Sequence, residues 1–190
     1  MFRWLTRTPR GATIRGLYGA IVAQARSPLF YGDYGVADTV AGRFDMLVLH
    51  LVLFLRRLRR EPAAIHALGQ GVFDLFCRDM DHSLREMGVG DLAVPKYMQR
   101  VAEAFYGRAA AYDDSIDRPG NQLLAATLTR NIFAEAVVPP VCAARLARYV
   151  RTAIDDLDRQ DGEAFARAAV LFPDPGTISA SQCGRAGVKR

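Results

Sequence analysis

Asp113, Asp114 and Asp117 form a D-D-x-x-D cluster. In all-helical prenyl-diphosphate enzymes, this is the pattern by which paired carboxylates hold magnesium against a diphosphate. That chemistry asks for a second acidic motif on a facing helix and a basic pair soon after the first. Here Arg118-Pro119-Gly120 follows the triplet, and the later Asp155-Asp156-Leu157-Asp158 has a different spacing. Pro119 also sets the triplet at a helix junction, where Asp117 reads as an N-cap for the next helix. A magnesium-dependent prenyl-diphosphate or quinone-pathway enzyme using these three aspartates is therefore the alternative reading, not the leading one.

Asp79, His82 and Glu86 lie at i, i+3 and i+7, and Asp79-x-x-His82 imitates half of a bundle-type di-iron site. The other half is missing, because neither His50 nor His66 has an acid three or four residues before it. No metal and no cofactor are expected. Phosphate-loop, nucleophile-elbow and zinc-protease motifs are absent, and Gly69-Gln70-Gly71 and Gly88-Val89-Gly90 follow helical segments, not strands. The three cysteines are odd in number and far apart, which fits neither a disulfide scaffold nor a zinc ribbon and makes a reducing compartment the default. A non-enzymatic protein is the leading reading.

The elements that must position these residues are helices. At 190 residues, 51% apolar and 24% charged, the chain is of single-domain size and globular composition. No strand alternation stands out. Ile14, Leu17, Tyr18, Ile21, Val22 and Ala25 fall at helical spacing until Ser27-Pro28 stops them. A loop carrying Phe30, Tyr31 and Tyr34 then runs to about Asp38, and Asp38 or Thr39 caps a helix reaching about Arg60. Further helices are expected at about Pro62–Met87, with Gly88 closing it in a left-handed turn, and at Pro95–Ser115, Pro119–Glu135, Pro140–Arg159 and Glu163–Val170. The expectation is an all-α, compact bundle of six to seven helices over residues 13–172. A flexible basic arm would precede it at residues 1–12, and a disordered Pro/Gly/Ser-rich tail would follow at 173–190.

Charge and apolar surface point to binding. Arg3, Arg7, Arg10, Arg15 and Arg26 precede any acid, so the whole net charge of +5 belongs to the N-terminal end and suits a polyanion. The helix after Thr39 is apolar on two sides, with Leu49 and Leu53 opposite the Phe44–Leu58 stripe. Such a helix is either the centre of a bundle or a docking surface for an apolar partner. Arg56, Arg57, Arg59 and Arg60 follow it, a cluster suited to anionic headgroups or ribosomal RNA. In the next helix Ile65, Leu68, Val72, Phe76, Met80, Leu84 and Met87 share one arc, flanked by Asp74–Arg78 and Asp81–Arg85 pairs in the favourable order.

With the segments placed, the stretch from Ser27-Pro28-Leu29-Phe30-Tyr31 through Gly35 to Leu47 resembles the opening motif of the ubiquinol-cytochrome c chaperone family. So do Asp79 to Asp91, Val94-Pro95-Lys96, Ala104-Phe105-Tyr106-Gly107-Arg108 and Ala111-Tyr112-Asp113. Ala37 stands where the family tends to have proline. The resemblance implies an all-helical assembly factor of respiratory complex III that binds newly made cytochrome b. Its further partners would be the ribosome, the inner-membrane surface and a second assembly factor, with no sequence-specific nucleic acid. The corresponding location is the bacterial cytoplasm, peripheral at the inner membrane, or the matrix side in a mitochondrion. Expected partner-binding residues are Phe30, Tyr31, Arg43, Asp45, Leu49, Leu53, Asp79, Asp81, Arg85, Glu86 and Lys96. Arg3, Arg7, Arg10, Arg56, Arg57, Arg59 and Arg60 would face the membrane or ribosome.

Overall fold

Ten consecutive residues, Asp45 to Phe54, are buried in the middle of one helix, and the rest of the molecule is wrapped around them. The computed structural model describes residues 9–134, 136–137, 139–179 and 187–188. Among these, eight α-helices follow one another: α1 Pro9–Ala25, α2 Pro28–Gly32, α3 Val40–Leu58, α4 Ala63–Glu86, α5 Val94–Asp117, α6 Gln122–Ile132, α7 Pro140–Arg159 and α8 Gly162–Ala166. Helix α3 is the central one, packed against α1, α4, α5, α6 and α7. Each neighbour turns an apolar stripe toward it: Leu17 and Ile21 from α1, Val72 and Phe76 from α4, Phe105 and Tyr112 from α5, Leu124 and Leu128 from α6, Leu146 and Val150 from α7.

Local chemistry sets the ends. Thr39 is extended, and its hydroxyl accepts from the Gly42 amide at 3.1 Å, which fixes the start of α3. Prolines in the first turns of α2, α5 and α7 cost no hydrogen bond there. At the end of α4, Gly88 has φ +84°, and the Val89 and Gly88 amides return to Leu84 and Arg85 carbonyls at 3.0 and 2.9 Å. This is the left-handed closure that a glycine makes without strain. Gly71 lets α1 and α4 approach, since a Cβ there would lie 2.4 Å from Ile14 Cδ1.

The structure corrects four expectations. The segment after Ser27 is helical at α2, and it turns Phe30 and Tyr34 inward against Tyr149 in edge-to-face contacts. Residues 173–179, expected within the disordered tail, are strapped onto the body. Gln24 donates to the Pro173 carbonyl at 2.9 Å, Tyr34 Oη to Pro175 at 2.7 Å and Arg145 to Ile178 at 3.3 Å. Their composition suggests freedom, but distant side chains satisfy their carbonyls. A two-residue antiparallel pair, β1 Ala136–Val137 with β2 Gly187–Val188, is too short to show alternation in sequence. Cys142 carries a disulfide, where the cysteine count suggests none; its partner lies outside the described residues.

Candidate functional site

The apolar stripe of α4 outruns the core, and the groove begins there. Ile65, Leu68, Val72 and Phe76 are buried, whereas Met80 and Leu84 are half-covered and Met87 is 58% exposed. Facing them are the last turn of α1 (Val22, Ala25), the first turns of α3 (Phe44, Leu47) and the first turns of α5 (Tyr97, Val101, Ala104). Each set repeats at three or four residues, so each presents one face. Together they enclose an open trough of about 760 Å³, with Val40 at 71% and Tyr97 at 41% exposure on its lips. Exposed apolar surface gathered in one concavity marks an interaction site.

The rim is mainly cationic. Arg26, Arg43 and Arg100 border the trough with one acid, Glu86. Arg43 is 2.7 Å from Asp38 and lies over the Tyr31 ring at 5.6 Å; Arg100 lies over Tyr97 at 5.5 Å. Cation–π stacking holds both guanidinium groups against the surface with donors still free for a partner. The Arg43 hydrogen bond holds the Asp38 carboxyl below its ordinary range. Burial pushes Tyr31 up to about 12, and its hydroxyl donates to the Ala25 carbonyl at 2.8 Å, so it remains a neutral donor.

Beneath the floor, Asp45 and Arg108 join α3 to α5 at 2.7 Å, with Arg108 also over the Phe44 ring at 5.7 Å. This pair fixes the two walls relative to each other. Tyr18 Oη on α1 donates to Asp79 on α4 at 2.7 Å, and burial followed by the Asp79 carboxylate drives the phenol pKa upward. On the last turns of α4, Arg85 binds both Asp81 and Asp91, which depresses Asp81. His82 and Glu86 lie 3.1 Å apart on the exposed side.

Of the expected partner-binding residues, Arg43 and Glu86 line the trough and Tyr31 supports Arg43, while Asp81, Arg85 and the exposed Lys96 are not among its lining residues. Asp45 and Asp79 tie helices together. Phe30, Leu49 and Leu53 are core residues at 1% exposure or less, so they present no docking face. The two-sided helix is the bundle centre because α7 covers the side that periodicity leaves open.

Two members of the arginine cluster, Arg56 and Arg57, are likewise largely covered, whereas Arg59 and Arg60 stay exposed. Arg56 binds Asp113 at 3.0 Å and also Asp117; Arg59 binds Asp113 at 2.7 Å; Arg60 binds Asp158 at 3.0 Å. Arg57 binds Glu61 and donates to the Leu157 and Gln160 carbonyls at 2.9 and 2.8 Å. Arg56 and Arg57 are therefore structural clasps, their guanidinium groups committed to partners within the fold. The same pairs hold the D-D-x-x-D carboxylates: Asp113 and Asp117 are counter-ions of arginine, and Arg56 pulls the Asp117 pKa down. Arg10 reaches the Ala67 carbonyl at 3.2 Å, while Arg3 and Arg7 lie outside the described residues.

Val40, Leu47, Arg26, Arg100, Val101 and Ala104 were not expected at a site. The signal for them is the α4 stripe continuing two turns past the last residue that the core covers.

An all-α body carrying an open apolar trough with cationic lips is a binding architecture. Residues 32–172 match the ubiquinol-cytochrome C chaperone family, and the chain belongs to that family, whose members serve assembly of ubiquinol-cytochrome c reductase, complex III. It is 26% identical over 147 residues to ubiquinol-cytochrome-c reductase complex assembly factor 1 of Xenopus laevis, covering 77% of this chain and 73% of that one. The human protein of the same description is 28% identical over 149 residues; the match covers 77% of this chain and 49% of the human one, about half its length. The crystal structure of a Cbp3 homolog from Brucella abortus superposes with a TM-score of 0.82 at 40% identity, over 90% of this chain and 94% of that one. Among the described residues no helix is long and apolar enough to cross a membrane.

Proposed function

We propose that this chain is a stoichiometric, non-catalytic chaperone that holds newly made cytochrome b during assembly of ubiquinol-cytochrome c reductase, with the trough as its client site. The observation that carries the reading is the trough itself: an apolar floor of four helices with mobile-length cationic side chains at its rim. A nascent membrane protein offers apolar helices with polar ends, and such a helix in a groove is recognised by apolar anchors at helical spacing. The family membership supports the assembly context. Action would be peripheral to the inner membrane, on the cytoplasmic side in a bacterium, with the ribosome and a second assembly factor as further partners. The rival magnesium enzyme is disfavoured because Asp113 and Asp117 are already neutralised by Arg56 and Arg59.

The test is a gene deletion complemented with Ala104→Arg, which fills the trough from a half-exposed position without removing core volume. Loss of the gene should lower assembled complex III with transcripts unchanged. The folded Ala104→Arg protein should fail to restore it and should no longer co-purify cytochrome b. Normal complex III in the deletion strain, or undiminished cytochrome b capture by the variant, would sink the proposal.

A further inference from the structure

We infer that the trough holds the C-terminal two turns of an apolar guest helix, with Arg26, Arg43 and Arg100 donating to the carbonyls and carboxylates at that end. This deepens the client reading and rests on it, since it names the part of the client that is held. Length is the first observation. The lining runs from Val40 to Leu47 on α3, from Met80 to Met87 on α4 and from Tyr97 to Ala104 on α5. Each wall advances seven positions, about 10 Å at a helical rise of about 1.5 Å per residue. A guest presenting anchors at i, i+3, i+4 and i+7 has the same length. A membrane span is about 30 Å long, so the trough covers about a third of one.

Which third is decided by the hydrogen-bonding character of the rim. Three of the four charged side chains that line it are guanidinium groups, which donate and cannot accept. Arg26 and Arg100 are exposed and have no carboxylate partner among the described residues. Arg43 bonds Asp38 through Nε at 2.7 Å, which leaves its two terminal nitrogens for a guest. The neighbouring acids are engaged: Asp38 by Arg43, Asp79 by the Tyr18 hydroxyl at 2.7 Å, and Glu86 by His82 at 3.1 Å.

A helix presents opposite chemistry at its two ends. Its first turn bares N–H donors with partial positive charge, and its last turn bares carbonyl acceptors with partial negative charge. A guest seated by its N-terminal end would set donor against donor at the three arginines. Seated by its C-terminal end, it finds a guanidinium for its open carbonyls and for an acidic residue in the last turn. The Tyr31 and Tyr97 rings, stacked under Arg43 and Arg100 at 5.6 and 5.5 Å, limit where two of these donors stand.

The experiment uses the full chain and fluorescein-labelled synthetic peptides, read by fluorescence anisotropy. All are stapled helices with blocked ends and leucines at i, i+3, i+4 and i+7. One carries two glutamates in its last turn, a second carries them in its first turn, and a third has two lysines in its last turn. The first should bind about ten-fold more tightly than either of the others. Arg26→Glu/Arg100→Glu changes two exposed positions, should leave the melting temperature unchanged, and should make the lysine-ended peptide the preferred one. The inference is overturned if the glutamate-ended and lysine-ended peptides bind alike, if glutamates in the first turn serve as well as in the last, or if the double variant keeps the parent's order. When this happens while Ala104→Arg still abolishes cytochrome b capture, the inference falls and the client reading stands. Equal binding of every peptide by Ala104→Arg and the parent would place the guest elsewhere and overturn both.

Discussion

Arg56 on α3 reaches across to α5 and binds Asp113 at 3.0 Å, with Asp117 on its other guanidinium nitrogen. One cation of the arginine cluster thereby engages two carboxylates of the D-D-x-x-D triplet. Arg56 is 17% exposed, so its charge is only partly screened, and breaking such a pair leaves a poorly solvated partner.

Replacing Arg56 with Ala should cost about 1–2 kcal/mol, or roughly 3–6 °C in melting temperature. Asp113→Asn/Asp114→Asn/Asp117→Asn should lose a similar amount yet still restore complex III in the deletion strain. Thermal melts and complementation check both. Loss of complementation by a folded triple variant would revive the enzyme reading.

His50 gives a pH signature. Its Nδ1 lies 2.8 Å from the Met46 carbonyl and must carry the proton, so Nε2 accepts from Tyr149 Oη at 2.8 Å. Complete burial drives its pKa down to about 4. The folded state therefore resists protonation that the unfolded chain accepts below about 6.5, and stability is present above that value and lost as pH falls toward 4. The loss is about 3 kcal/mol over this window. Urea titrations from neutral pH to 4.5 should show it, and His50→Gln should flatten the slope there. Asp81 and Asp117, held low by arginine, add their losses only below the ordinary carboxylate range.

Gly71→Ala should destabilise by about 1–3 kcal/mol through overpacking, because the new methyl meets Ile14 Cδ1. Ile14→Val removes that atom. The double variant should recover part of the loss, which a double-mutant cycle in urea measures.

Arg145 lies over the Tyr34 ring at 4.1 Å and donates to the Asp33 and Ile178 carbonyls at 3.0 and 3.3 Å. Arg145→Ala should cost about 2–4 kcal/mol by leaving both unpaired. Tyr34→Phe, which loses the hydroxyl bonded to Pro175 but keeps the ring under Arg145, should cost about 1 kcal/mol. Limited proteolysis should cut within 173–179 faster in both, and faster still in Arg145→Ala.

What sequence shows and hides can be read from these residues. The Thr39 cap, the Gly88 closure and the α4 stripe are legible because each depends on neighbours within a turn or two. The burial of Leu49 and Leu53 depends on α7, about a hundred residues away, and local periodicity cannot distinguish a covered second face from an open one. Arg56 and Arg57 look like surface charge until α5 and α7 place carboxylates and carbonyls opposite them. The strap at 173–179 fails for the same reason, since its partners lie on α1, α7 and the segment after α2. The trough was half legible: its α4 wall is written in one stripe, while its other walls are assembled by topology.

The sealed helix α3 has one more effect. With Asp45 to Phe54 shut away from water, a client held as proposed could reach the apolar faces of α3 only if that helix were unpacked from its neighbours. On the proposed reading the load sits on the outside and is handed over while the vessel stays rigid, so repeated loading and unloading would spare the scaffold itself.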